Sequence, residues 1–205
     1  MPASRVEPYS RALSELRERI RVGALAPGAR VTAKDVAEDL GLSPTPVREA
    51  MARLAGEGLL EERRGDGFFA RSLSAADVDA LFRLSLAMLR ETVSAPRRPR
   101  PDLAVSLAAQ AQEDPVRAVE RLFLAWVAEA HSAVMVEKYQ LLVCQLGPVR
   151  RSEHLLFDDL RDEAARLVGL ATLSPNERLK GVERFHARRL QVVEALTEAT
   201  CPPKS

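Results

Sequence analysis

The sequence is poor in aromatic residues: one Trp, two Tyr and six Phe make up 4% of 205 residues. A core built from this chain rests mainly on Leu, Val and Ala. Cysteine is scarcer still, and Cys144 and Cys201 lie too far apart in sequence to read as a disulfide framework. Neither sign of charge dominates. With 30 Lys and Arg against 29 Asp and Glu, the net charge is +1. A nucleic-acid partner would therefore have to be met by a local patch, since there is no global basic field. Long apolar runs are missing too. The most apolar stretch, LFLAWVAEAHSAVMV, is interrupted by Glu129 and His131 and is too short to cross a bilayer. The Met-Pro-Ala-Ser start lacks the apolar region of a signal peptide. Together these absences predict a cytoplasmic protein. No internal repeat and no low-complexity tract is present.

What remains is 46% hydrophobic and 29% charged, an ordinary globular composition sufficient for one large domain or two small ones. Ala, Leu, Arg and Glu dominate, and all favour helices. PYSRALSELRERIRV, residues 8–22, places Tyr9, Leu13, Leu16 and Ile20 at helical spacing. Gly23, Pro27 and Gly28 then interrupt the pattern. Thr32 is a good N-cap for the short helix AKDVAEDL, which Gly41 ends. Ser43 is the next N-cap candidate. Pro44 and Pro46 follow at the first and third helical positions, among backbone donors that have no partner inside a helix. The helix that they open carries Val47, Met51 and Leu54 on one stripe, with Thr45, Arg48 and Ala52 on another face. Two short runs then flank Arg63-Arg64-Gly65-Asp66-Gly67, which has hairpin chemistry.

From Ser74 onward the pattern is helical throughout. A first helix over AADVDALFRLSLAMLRETV is apolar on most faces and is expected to be buried. The segment SAPRRPRPD, with three prolines and three arginines, reads as a loop. Further helices are expected at about 103–112, 115–146 (with a break near Ser132), 150–171 and 175–199, Pro148 separating the second of these from the third. Ser174-Pro175-Asn176-Glu177 is a capping box. The fold class is mainly α: an N-terminal winged helix-turn-helix with a small β-hairpin over residues 1–72, then an all-α helical bundle over 73–205.

A helix pair joined by a tight turn and followed by a hairpin places the second helix for the major groove. Arg48 lies one turn in, off the core stripe, and suits a guanine or a phosphate. Ser43 and Thr45 suit phosphate contact. Arg64 and Gly65 sit at the hairpin tip, and Lys34 suits a phosphate beside the groove. Small helical domains of other functions share this pattern, so a protein-interaction module without ligand response remains a second reading. An enzyme of the helical bundle is a third, but Cys144 has no visible base beside it and the three histidines form no motif.

The wording of LAPGARVTAKDVAEDLGLSPTPVREAMARLAGEGLLEERRGDGFF is more specific. It closely resembles the N-terminal domain of the GntR family of bacterial transcriptional regulators, over about residues 9–70. The resemblance implies contact with double-stranded operator DNA at Lys34, Ser43, Thr45, Arg48, Arg64 and Gly65. It also implies a homodimer. Pro44 stands where the family often has Arg or another polar residue, and Lys34 where arginine is frequent. The remainder resembles the FadR-like branch, whose helical domain binds a small effector and dimerises. Many members of that branch hold a metal with an Asp-x-x-x-His pair and two later histidines. Here the pair falls at Glu120 and Leu124, and leucine cannot ligate, so no metal and no other cofactor is expected. Candidates to line an effector pocket are Arg83, Glu120, Tyr139 and His186, with Arg90, Trp126, Arg150 and His154 beside them. Against this, Arg150-Arg151 also reads as a solvated helix start, and Trp126 as a core residue whose N–H is satisfied locally.

Overall fold

A computed structural model of the chain describes residues 7–93 and 100–201. The chain divides into two compact units, one through Leu73 and one from Ser74 onward.

In the first unit, α1 (Pro8–Arg21), α2 (Ala33–Leu40) and α3 (Pro44–Gly56) are joined by a three-stranded antiparallel sheet of order β1-β3-β2. β2 (Leu60–Arg63) and β3 (Gly67–Ala70) form the hairpin, with Arg63 opposite Gly67. β1 (Arg30–Val31) pairs along the other edge of β3, Arg30 opposite Phe69. This strand was not anticipated, because two residues are too few to show a period. It is fixed by Gly28 N–H donating to Ala70 O at 2.8 Å and by Ala70 N–H donating to Ala29 O at 2.8 Å.

Val47, Ala50, Met51 and Leu54 of α3 are fully buried at the i, i+3, i+4, i+7 spacing of one helical face. They pack against Ala12, Leu16 and Ile20 of α1 and the buried Val36, Ala37 and Leu40 of α2. Truncating a core leucine such as Leu54 to Ala typically costs about 2–5 kcal/mol. Thr32 caps α2, its side chain accepting from Asp35 N–H at 3.3 Å. Gly41 ends that helix in the left-handed region, with φ 62°.

The second unit is a helical bundle: α4 (Ala75–Val93), α5 (Pro101–Glu113), α6 (Pro115–Ala128), α7 (Ala133–Arg151), α8 (Leu160–Gly169), α9 (Pro175–Leu190) and α10 (Val193–Thr200). α4 packs against α6, α7, α9 and α10, while α5 lies on α6 and α8. The core gathers most of the few aromatics, with Phe123 edge-on to Phe185 at 5.1 Å between centroids.

Several expectations need correction. α4 is buried on one face only: Val78, Phe82, Ser85 and Leu89 point inward, whereas Leu84 is 51% exposed. Pro148 does not divide two helices but lies inside α7. The local cost of an interior proline, about 3 kcal/mol, is outweighed by its neighbours, since Leu146, Gly147, Val149 and Arg150 are all buried. The helix expected over 150–171 is instead the end of α7, a 3-10 turn at Glu153–Leu155, α8 and a second turn at Leu170–Thr172. The helix expected over 175–199 breaks at Gln191–Val192 without glycine or proline. The expected break near Ser132 is present. His131 adopts φ 54° there, and Ser132 caps α7 by accepting from Met135 N–H. The Ser174 capping box on Glu177 is complete. Of the proline-arginine loop, residues 94–99 lie outside the described residues, and Pro101 is the first residue of α5.

Candidate nucleic-acid interface and buried polar centre

The two prolines of Ser43-Pro44-Thr45-Pro46 set the chemistry at the head of α3. Ser43 occupies the N-cap position with extended backbone, yet its side chain caps nothing. An N-cap hydroxyl accepts from the N–H of the second or third helical residue. The third is Pro46, which has no N–H. Pro46 thus removes one of the two donors that the Ser43 hydroxyl could cap, and the Thr45 N–H is not taken up either. Thr45 lies at the second position, exposed and likewise without a side-chain hydrogen bond among the described residues.

Arg48, one turn further, is exposed, as is Lys34 in the first turn of α2. Arg64 and Gly65 form the exposed tip of the hairpin, where Gly65 takes φ 87° and Asp66 N–H donates back to Arg63 O at 2.9 Å. All six expected contact residues are thus solvent-facing.

Ion pairing sorts the cations of this unit. Arg17 and Arg53 both hold Glu57, Arg19 holds Glu15 and Asp39, Arg21 holds Glu18, and Arg63 holds Glu61. Lys34, Arg48 and Arg64 make no side-chain hydrogen bond or ion pair among the described residues, and neither do Arg11 and Arg30. An unpaired guanidinium can take an anion without first breaking a salt bridge. Arg11 and Arg30 were missed by sequence reading, because their freedom depends on where the carboxylates fall.

In the helical unit, the expected effector residues separate. Glu120, Tyr139 and His186 line one cavity together with Ser85 and Arg150. Arg83 does not join them: it is exposed and held by Asp79 one turn back, at 2.6 Å. Arg90 pairs with Glu183 at 2.8 Å on the surface, and exposed His154 contacts its own helix end through Arg151 O.

The cavity has a directional hydrogen-bond chain. His186 is fully buried. Burial lowers its pKa from 6.5 to about 3, with Val182 O opposing and Arg189 and Arg150 assisting. The ring is therefore neutral. Nδ1 lies 2.7 Å from Val182 O, which can only accept, so Nδ1 carries the proton. Nε2 must then accept from Ser85 Oγ at 2.9 Å. Ser85, having spent its proton, accepts from Tyr139 O–H at 3.1 Å. Burial in turn raises the Tyr139 pKa, more than Ser85 lowers it. The cavity measures about 10 Å³, room for about one water. Glu120, Tyr139 and His186, expected to hold an effector, converge around a space of that size.

Beside it lies an ion cluster that sequence reading missed. Arg189 is fully buried and donates to Glu153 at 2.8 Å and to Glu163 at 2.7 Å, with its guanidinium 3.4 Å from the Phe185 ring centroid. Arg150, read from sequence as solvated, is 6% exposed and pairs with Glu153 at 2.5 Å. Burial disfavours the Glu153 carboxylate, but Arg150 and Arg189 outweigh it and hold its pKa below the usual range. A signal was available in the sequence: Arg189 continues the stripe of Val182, Phe185 and His186. Trp126 is buried as expected, but its N–H has no partner among the described residues. Among the described residues no group of three or more His, Cys, Asp or Glu is placed to hold a metal.

Residues 8–70 match the family described as "Bacterial regulatory proteins, gntR family". The chain is 27% identical over 185 residues to the HTH-type transcriptional regulator McbR of Escherichia coli K12, covering 84% of this chain and 76% of the relative. It is 34% identical over 117 residues to an uncharacterized HTH-type transcriptional regulator in the TAR-I ttuE-ttuC' intergenic region of Agrobacterium vitis, covering 55% of this chain and 67% of the relative. The solved structure of E. coli McbR/YncC superposes with a TM-score of 0.76 at 22% identity, over 93% of this chain and 98% of that one, a likeness of fold. No helix among the described residues is long and apolar enough to cross a membrane.

Proposed function

The chain belongs to the GntR family of bacterial transcriptional regulators, and we propose that it binds operator DNA as a homodimer under the control of a small-molecule effector. In this reading residues 1–72 bind DNA and residues 73–205 carry dimerisation and effector binding in a cytoplasmic protein. The head of α3 enters the major groove. Arg48 reads a base edge or holds a phosphate, and Ser43 and Thr45 offer hydroxyls to the backbone. Lys34 neutralises a phosphate, and Arg64 and Gly65 bring the wing tip to a neighbouring groove.

The observation that carries the proposal is the sorting of cations: Lys34, Arg48 and Arg64 are exposed and unpaired among the described residues, while Arg17, Arg19, Arg53 and Arg63 of the same unit are held by carboxylates. Two helix units in a dimer reinforce weak half-site contacts. A mobility-shift titration of the full chain on the duplex upstream of its own gene tests the reading. A salt-sensitive, sequence-dependent shift supports it, and equal retardation of a scrambled duplex counts against it.

A further inference from the structure

The bundle offers a second and larger cavity, separate from the closed polar centre although Phe185 lines both. It lies between α8, the Leu170–Thr172 turn and α9, and measures about 310 Å³. That is roughly the liquid volume of ten waters and falls at the lower end of small-molecule sites. Its floor is apolar: Leu167 and Phe185 are 4% and 2% exposed. Gly181 shapes that floor. A Cβ there would stand 2.1 Å from Leu170 Cδ1, so only glycine lets the leucine lie against the α9 backbone.

The wall is cationic. Arg166, Lys180, Arg184 and Arg188 line the cavity against two carboxylates, Glu163 and Glu177, an excess of two positive charges (four minus two). Both carboxylates are already engaged. Glu163 accepts from buried Arg189 at 2.7 Å and is ion-paired with Arg188 at 3.4 Å. Glu177 accepts from Ser174 N–H and O–H in the capping box. Arg166 and Arg188 share Asp159. Lys180 and Arg184 make no side-chain hydrogen bond or ion pair among the described residues; Lys180 merely favours the Glu177 carboxylate through space. Two uncommitted cations over an apolar floor match a ligand with one anionic end and an apolar body.

We infer that this groove binds a small amphipathic anion, an organic carboxylate whose apolar body lies on Leu167, Leu170 and Phe185 and whose charge is met by Lys180 and Arg184. The inference rests on the proposal that the helical unit is ligand-responsive, and it moves the ligand from the closed centre to the α8–α9 groove.

The test is calorimetric titration of the full chain with 1-naphthoate, with 1-naphthalenemethanol as the neutral control. The expected result is saturable naphthoate binding, at least tenfold tighter than the alcohol and weakened at least tenfold by Lys180→Gln with Arg184→Gln. Both positions are exposed, so the variant keeps the wild-type helical circular dichroism. Undiminished binding in that variant, equal affinity for the alcohol, or no saturable binding overturns the site. Displacement of naphthoate by phosphatidylglycerol vesicles assigns the groove to a lipid surface and also overturns it. A parallel operator titration separates the two claims. Naphthoate binding that requires Lys180 and Arg184 but leaves operator affinity unchanged upholds the site and refutes effector control.

Discussion

Arg48 and Arg53 are both exposed on α3 and meet opposite fates. Arg53 donates Nε to Glu57 at 2.7 Å, whereas Arg48 has no partner among the described residues. Helix spacing explains the difference. Arg53 finds a carboxylate four residues on. Around Arg48 the corresponding neighbours are Pro44, Thr45, Met51 and Ala52, none of them acidic. The sequence thus pairs the cation at the tail of the helix and leaves Arg48, near its head, without a partner among the described residues, where the helix dipole also favours an anion.

Arg48→Ala should therefore weaken operator binding by about 1–3 kcal/mol if the residue reads a base, and should relax specificity at one position. Arg53→Ala should change affinity far less. Fluorescence anisotropy on the operator and on single-base variants checks both, and equal losses for the two variants would remove the special role given to Arg48.

Lys34→Ala should act differently. A phosphate contact carries no sequence information, so affinity should fall uniformly across base variants. The slope of log K against log salt should shrink by about 1. A titration series across salt concentrations measures it; an unchanged slope places Lys34 off the backbone.

Glu57 ties α1 to the end of α3, with Arg17 Nη2 2.7 Å from both its carboxylate oxygens. Burial pushes its pKa up, but Arg17 and Arg53 outweigh this and lower it. The stabilisation is then present above the unfolded carboxylate pKa and lost as pH falls through the lower folded value. Glu57→Gln should cost roughly 1 kcal/mol at pH 7, and the difference from wild type should close in strong acid. Urea unfolding at several pH values measures this, and a gap that widens in acid contradicts it.

His186 gives the larger pH effect. Its folded pKa of about 3 lies below the unfolded 6.5. The unfolded chain takes up a proton that the folded chain refuses, so this contribution is complete above pH 6.5 and is lost as pH falls towards 3. Between pH 7.5 and 5 the loss should be about 2 kcal/mol. His186→Gln should unfold with a flatter dependence on pH over that range. An identical slope in the variant would show that the ring is not held neutral.

Local signals in the sequence led to the local structure. Thr32, Gly41, Pro44 and Ser174 each mark a helix end through chemistry that acts within four residues. What escaped depended on distant partners. β1 exists because Gly28 and Ala29 reach Ala70. Pro148 stays helical because its flanks are buried. The burial of Arg189 depends on Glu153 and Glu163, which arrive from other elements. The exposure of the six residues expected to contact DNA was legible because they belong to one contiguous motif. The expected effector set was only partly so: Glu120, Tyr139 and His186 converge, but around a cavity closed by the Tyr139–Ser85–His186 chain, and Arg83 faces solvent.

The most direct measurement is the anisotropy of a labelled duplex from upstream of the chain's own gene, titrated with the full protein at several salt concentrations beside a scrambled duplex. The expected result is binding to the upstream duplex at least a thousandfold tighter than to the scrambled one, weakening steeply with salt and lost in large part with Arg48→Ala. Equal affinity for both duplexes, or affinity indifferent to Arg48, would contradict operator recognition through the head of α3.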